Sequence, residues 1–100
     1  MDFEVIWARS AAADLRDLVA YIGRDNRKAA RKIAYAILKR IDLLSAFPFM
    51  GWKYAKDAKH TTREFVYRKY RILYRVQTKK KRIEIIHIWH GARREPELPQ

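Results

Sequence analysis

The sequence predicts a two-layer α+β fold, β-α-α-β-β-β, with an N-terminal helical hairpin packed on a twisted antiparallel sheet. Three observations lead there. Apolar residues recur at helical spacing in two blocks between Leu15 and Leu44. From Thr62 to His90 they alternate with arginines and glutamates at a two-residue period, which strands produce by pointing successive side chains to opposite faces. A Pro- and Gly-containing segment, Pro48 to Gly51, separates the two regimes, so helices and strands occupy separate layers.

The elements follow in order. Phe3, Val5 and Trp7 alternate with Asp2, Glu4 and Ile6, the pattern of a first strand. Ser10 is the expected cap of the next helix, with Asp14 and Asp17 in its early turns complementing the dipole. Ala13 occupies the position where a capping box would need Glu or Gln. Leu15, Leu18, Val19 and Ile22 form that helix's apolar stripe. Gly23 and the Asp25-Asn26 pair mark a break and a new cap.

A second helix is expected from Arg27 to about Ala46, with Ala30, Ile33, Ala34, Ile37, Leu38, Ile41 and Leu44 as its stripe. Pro48 disfavours helical geometry at Phe47 and ends it. The short break between the helices implies an antiparallel hairpin. Phe47-Pro48-Phe49-Met50-Gly51-Trp52 reads as a turn whose large apolar side chains tuck under the sheet. Residues 53–61 read as a polar loop, and strands are expected at 62–68, 70–77 and 82–90. Lys79-Lys80-Lys81 marks the last hairpin.

One hundred residues suit a single domain spanning 1–100 with one modest core. Hydrophobic residues at 49% exclude a disordered chain. The net charge of +12 attracts acidic partners, and it is lopsided. Residues 1–50 carry nine Lys/Arg against six Asp/Glu, residues 51–100 fourteen against five. Without cysteine, disulfides, thiolate catalysis and cysteine-based zinc sites are excluded. No apolar run approaches the length of a membrane span and the N-terminus lacks a signal-peptide pattern, so the expected location is cytoplasmic, without membrane contact.

Arginine placement carries the chemistry. Arg71 and Arg75 lie on one face of their strand, opposite Tyr70, Ile72, Tyr74 and Val76. For each, a surface ion pair with Glu64 or Glu84, worth about 0–1 kcal/mol, is the plain alternative to a functional role. Arg63, Arg71 and Arg93 are read as partner-binding or site-organising groups. His87 and His90 are three apart, so strand alternation sends them to opposite faces and at most one serves a site. His60 falls in the polar loop, and the three histidines lack metal-ligand spacing, so neither metal nor cofactor is expected. On the second helix, Arg27/Arg31 and Lys28/Lys32 are like-charged pairs four apart, with no acid between Arg27 and Arg40. That basic face, Arg31 and Lys32 above all, suits an acidic protein surface.

Taken together, Trp7 closing the first strand, Leu15 and Tyr21-Ile22, the Leu43–Pro48–Gly51 segment, Arg63-Glu64-Phe65, Tyr70-Arg71-Ile72-Leu73-Tyr74-Arg75 and His90-Gly91-Ala92-Arg93 follow a specific order. In that order the chain resembles the RelE/ParE family of toxins from type II toxin–antitoxin systems, and within it the ParE branch. The resemblance covers nearly the whole chain and implies the RelE/ParE-like fold. It also implies a toxin that inhibits DNA gyrase by direct binding, blocks replication and is neutralised by a cognate acidic antitoxin. Arg31, Lys32, Arg63, Arg71, Arg75 and Arg93 are the candidate target- and antitoxin-binding residues. The alternative is a ribosome-dependent mRNA endonuclease of the RelE type, with Arg63, Arg71 and Arg93 at phosphate and His90 handling a proton. Arg71 and Arg93 match arginines of that branch, whereas the tail from Arg94 to Gln100 holds none of its C-terminal tyrosine. A general RNA-binding module ranks third, because Arg63-Glu64-Phe65-Val66-Tyr67 lacks the glycines of an RNP1 strand.

Overall fold

The computed structural model describes residues 2–54, 56, 57 and 61–91. Two helices, α1 (Arg9–Gly23) and α2 (Arg27–Leu43), pack on a five-stranded sheet of β1 (Glu4–Trp7), β2 (Trp52–Lys53), β3 (Thr62–Tyr67), β4 (Tyr70–Gln77) and β5 (Arg82–His90). The strand order is β1-β5-β4-β3-β2. The α+β, two-layer expectation holds, with two differences. β1 runs parallel to β5, pairing Val5 with Ile83 and Trp7 with Ile85, so the sheet is mixed. A two-residue β2 joins the opposite edge through Trp52 and Lys53, inside what reads in sequence as turn and loop.

Asn26 caps α2 as its position suggests, its Oδ1 accepting from the Ala29 N–H at 3.0 Å. The last helical turn loosens after Leu43, and the Phe47 N–H still reaches the Leu43 carbonyl at 2.9 Å. α1 departs from expectation: its cap is Ala8, with no side-chain hydrogen bond. Ser10 and Asp14, one turn apart on α1, serve the sheet instead. β1 ends at Trp7, leaving the rest of the β5 edge open. Ser10 Oγ donates to the Ile86 carbonyl at 2.6 Å, and Asp14 Oδ2 accepts from the Ile88 N–H at 2.9 Å. Helix side chains thus continue the hydrogen bonding that the strand stops providing.

The core lies between the layers. Ile37, Ile41 and Leu44 of the α2 segment meet Phe65, Ile72, Tyr74, Val76, Ile83, Ile85 and Ile88 of the sheet. A bulge between Leu73 and Tyr74 leaves Ile86 without a partner on β4, yet fully buried. On the outer face Leu73, Tyr54 and Trp89 form a smaller cluster. The polar loop is partly structural, because the buried Asp57 accepts from the Thr62 N–H at 2.7 Å and the Thr61 N–H at 3.1 Å.

Tyr74 links core to loop. Its ring is fully buried, and its hydroxyl donates to the Pro48 carbonyl at 3.0 Å while accepting from the Gly51 N–H at 3.0 Å. Burial raises its pKa above the ordinary tyrosine value, so the hydroxyl keeps its proton. Gly51 is required here by space: a Cβ would stand 2.5 Å from the Glu64 carbonyl oxygen and 2.7 Å from Tyr74 Oη. Gly51→Ala should therefore cost about 1–3 kcal/mol, the scale of overpacking, read as a lowered midpoint in urea unfolding.

Candidate functional site

β4 alternation divides the sequence-selected residues between the two faces of the sheet. Arg71 and Arg75 point outward beside Leu73, and each takes a glutamate. Arg71 forks onto Glu64, with Nη2 at 2.8 Å from Oε2 and 2.9 Å from Oε1, and Nε at 3.1 Å from Oε2. Its guanidinium also lies 4.9 Å from the centre of the Trp89 ring, and Trp52 Nε1 donates to Glu64 Oε1 at 3.0 Å. Arg75 sits 3.6 Å from Glu84. These are the pairings that the sequence offers as the plain alternative. The Glu64 pair is nevertheless no exposed contact, because the Glu64 side chain is only 9% accessible.

Arg63 stands on the other face, opposite Tyr74 in the register. Its Nη1 donates to the Gly51 carbonyl at 2.6 Å and to the Phe49 carbonyl at 3.3 Å, and the guanidinium lies 5.0 Å from the Phe49 ring centre. It organises the loop after α2. His90 pairs with Tyr70 on the helix-side face, with the two rings edge to face at 5.6 Å. Arg63 and His90 sit opposite Tyr74 and Tyr70, four residues apart along β4, a span of about 13 Å. The arginines and histidine of the endonuclease alternative are thus dispersed over both faces. Arg93, like His60, lies outside the described residues.

The expectation that His87 and His90 cannot share a site needs correction. His87 Nδ1 lies 2.9 Å from Asp14 Oδ2, and both histidines line a cleft of about 410 Å³ with Asp14, Asp17, Tyr21 and Tyr70. Alternation separates the faces of a strand, but this cleft follows the β5 edge, and His87, Ile88, Trp89 and His90 all line it. Among the described residues no group of three or more His, Cys, Asp or Glu is placed to hold a metal ion. No described helix is long and apolar enough to cross a membrane.

Two further surfaces stand out. Between the helices, Val19, Ala20, Gly23 and Ala30 floor a groove of about 470 Å³ rimmed by Arg24, Arg27 and Arg31. Arg31 and Lys32 are both exposed on α2. The loop after α2 reverses its sequence expectation: Phe47, Phe49, Met50 and Trp52 are 60, 53, 41 and 57% exposed rather than tucked under the sheet. The sequence carries no local signal of this, because the loop backbone is held by Tyr74 and Arg63 from strands later in the chain.

Glu64 is the hinge of the outer face. Glu64→Ala would take from Arg71 its carboxylate fork, leaving the guanidinium against the Trp89 ring. The loss should be about 2–3 kcal/mol, below the usual 3–5 for a fully buried pair because the Arg71 side chain is 27% accessible. Thermal unfolding of Glu64→Ala beside Arg71→Met would measure it.

The comparisons agree with this geometry. The family model of the ParE toxin of the type II toxin–antitoxin system, parDE, matches residues 5–95. No curated protein matches the chain at a significant level. Solved structures share the fold at low identity. A chain of the RelBE2 toxin–antitoxin complex from Mycobacterium tuberculosis aligns at 21% identity and TM-score 0.70, covering 90% of this chain and 99% of its own. A chain of the chromosomal ParDE system from P. aeruginosa aligns at 22% and 0.71, covering 88% and 95%. A mutant of E. coli toxin RelE in the free state aligns at 14% and 0.67, covering 92% and 86%. With the family model matched from the first strand to beyond the last, on a hairpin-and-sheet fold shared with these toxins, the chain belongs to the ParE toxins of type II toxin–antitoxin systems.

Proposed function

We propose that this toxin acts in the cytoplasm by binding DNA gyrase, so blocking replication, and that a cognate acidic antitoxin neutralises it. The observation that carries binding over cleavage is the state of Arg71. A phosphate at that arginine would have to displace the Glu64 carboxylate, which holds it in a fork and is itself buried. His90, the proton handler of the cleavage alternative, belongs to the opposite face. Cleavage by attack of a 2′-hydroxyl needs cation and proton carrier at one phosphate.

The interhelical groove supports the antitoxin part. An apolar floor with an arginine rim fits a segment with apolar anchors spaced between acids, and uncompensated charge on α2 would speed the encounter.

In a supercoiling assay with purified gyrase, ATP and DNA, the toxin should halt supercoiling and accumulate cleaved DNA. Undisturbed supercoiling by folded toxin, with mRNA cut in a ribosome-dependent translation assay, would replace this reading with the endonuclease. Charge reversal of Arg31 and Lys32 should slow association with the antitoxin by about tenfold at low salt and flatten its dependence on ionic strength, read by stopped-flow mixing. An unchanged rate and unchanged salt dependence would remove the α2 face from that encounter.

A further inference from the structure

The loop after α2 is a rigid stage for exposed apolar side chains. Its backbone is held from three sides. Tyr74 Oη takes the Pro48 carbonyl and the Gly51 N–H, Arg63 takes the carbonyls of Gly51 and Phe49, and the Met50 N–H donates to the Phe47 carbonyl at 3.2 Å. Yet Phe47, Phe49, Met50 and Trp52 point out, and Leu43, one turn before Phe47, is 48% exposed and extends the same apolar run along α2. Phe, Trp, Met and Arg are the residue types enriched at the centres of protein interfaces, where pre-organised anchors lose least on binding.

Charge identifies the occupant. In a chain that is 34% charged, the stretch from Leu44 to Tyr54 holds one charged residue, Lys53. The nearby arginines are engaged, Arg63 with loop carbonyls and Arg71 with Glu64. One face of Phe49 is covered by Arg63, and the Trp52 indole is tethered to a carboxylate. A nucleic-acid strand needs a track of available cations, and between Leu44 and Tyr54 this loop offers only Lys53. A second copy would bring another +12 charge to the contact. An acidic antitoxin segment is better served by the arginine-rimmed groove at the other end of α2, about 25 Å away along the helix axis. A weakly charged, apolar cleft on a protein is what remains complementary.

We infer that the Phe47–Trp52 loop is the surface by which this toxin engages its protein target, seating Phe47 and Met50 in an apolar cleft of that target. This rests on the reading of the chain as a toxin that works by binding. The two ends of α2 then have separate duties, the N-terminal groove for the antitoxin and the C-terminal loop for the target.

The test is the double variant Phe47→Ser, Met50→Ser, which leaves Arg63, Gly51 and Tyr74 in place, beside Tyr35→Ser, an equally exposed aromatic removed from mid-α2. Circular dichroism melts establish that both are folded. With gyrase in the supercoiling assay, the double variant should need at least about tenfold more protein for half-inhibition, while Tyr35→Ser matches wild type. Equal inhibition by the double variant would overturn the inference and leave gyrase as the target. If wild type itself fails to inhibit gyrase, the gyrase reading falls and the loop is judged by growth arrest on expression in bacteria. Arrest lost in the folded double variant and kept in Tyr35→Ser supports the loop as the contact with another target, and arrest retained in the double variant overturns it.

Discussion

The hydroxyl of Tyr74 is the constraint around which the sheet and its loop are arranged. A tyrosine with no exposed surface must satisfy its polar end inside the protein, or lose about 1–3 kcal/mol to an unpaired group. Here the partners are backbone groups of the loop after α2, so the packing of β4 dictates the course of a segment 23 to 26 residues earlier. Everything near the loop follows. Gly51 must lack a side chain to let the backbone approach, and Arg63 must cross to the loop carbonyls. With the backbone drawn inward, the side chains have only one direction left. A polar demand in the core is thereby expressed as an apolar surface outside it.

Local periodicity made much of this fold legible. The Gly23 to Asn26 break, the extents of β4 and β5, and the inward set Tyr70, Ile72, Tyr74 and Val76 all follow from spacing within a few residues. What spacing could not convey were relations across the sheet. β1 is parallel to β5 because the helical hairpin carries the chain back over one face before β2, β3 and β4 are laid down. Ser10 is a good cap by composition, but the open edge of β5 offered its hydroxyl a stronger use. His87 and His90 were separable by alternation only while β5 was imagined with neighbours on both sides along its whole length.

The arginines show the same boundary between local and global information. Their outward direction at Arg71 and Arg75 was readable, and so were the glutamates able to meet them. The depth of the Glu64 pair was not, since it depends on Trp52 arriving from β2 and Trp89 from β5. Charge counts along the chain therefore overstate how much positive field the outer face presents. On α2, Arg31 and Lys32 are exposed and stand without acids near them in sequence.

The edge of β5 bears on how the molecule comes into being. Its hydrogen bonds are shared with β1 and with Ser10 and Asp14, groups separated from it by 73 to 76 positions where side chains are involved. Neither β1 nor the open side of α1 can complete its bonding until β5 has been synthesised. Such long-range closure makes completion of the sheet slow compared with helix formation. The hairpin is built from contacts local in sequence, whereas the sheet waits on pairings that span nearly the whole described chain.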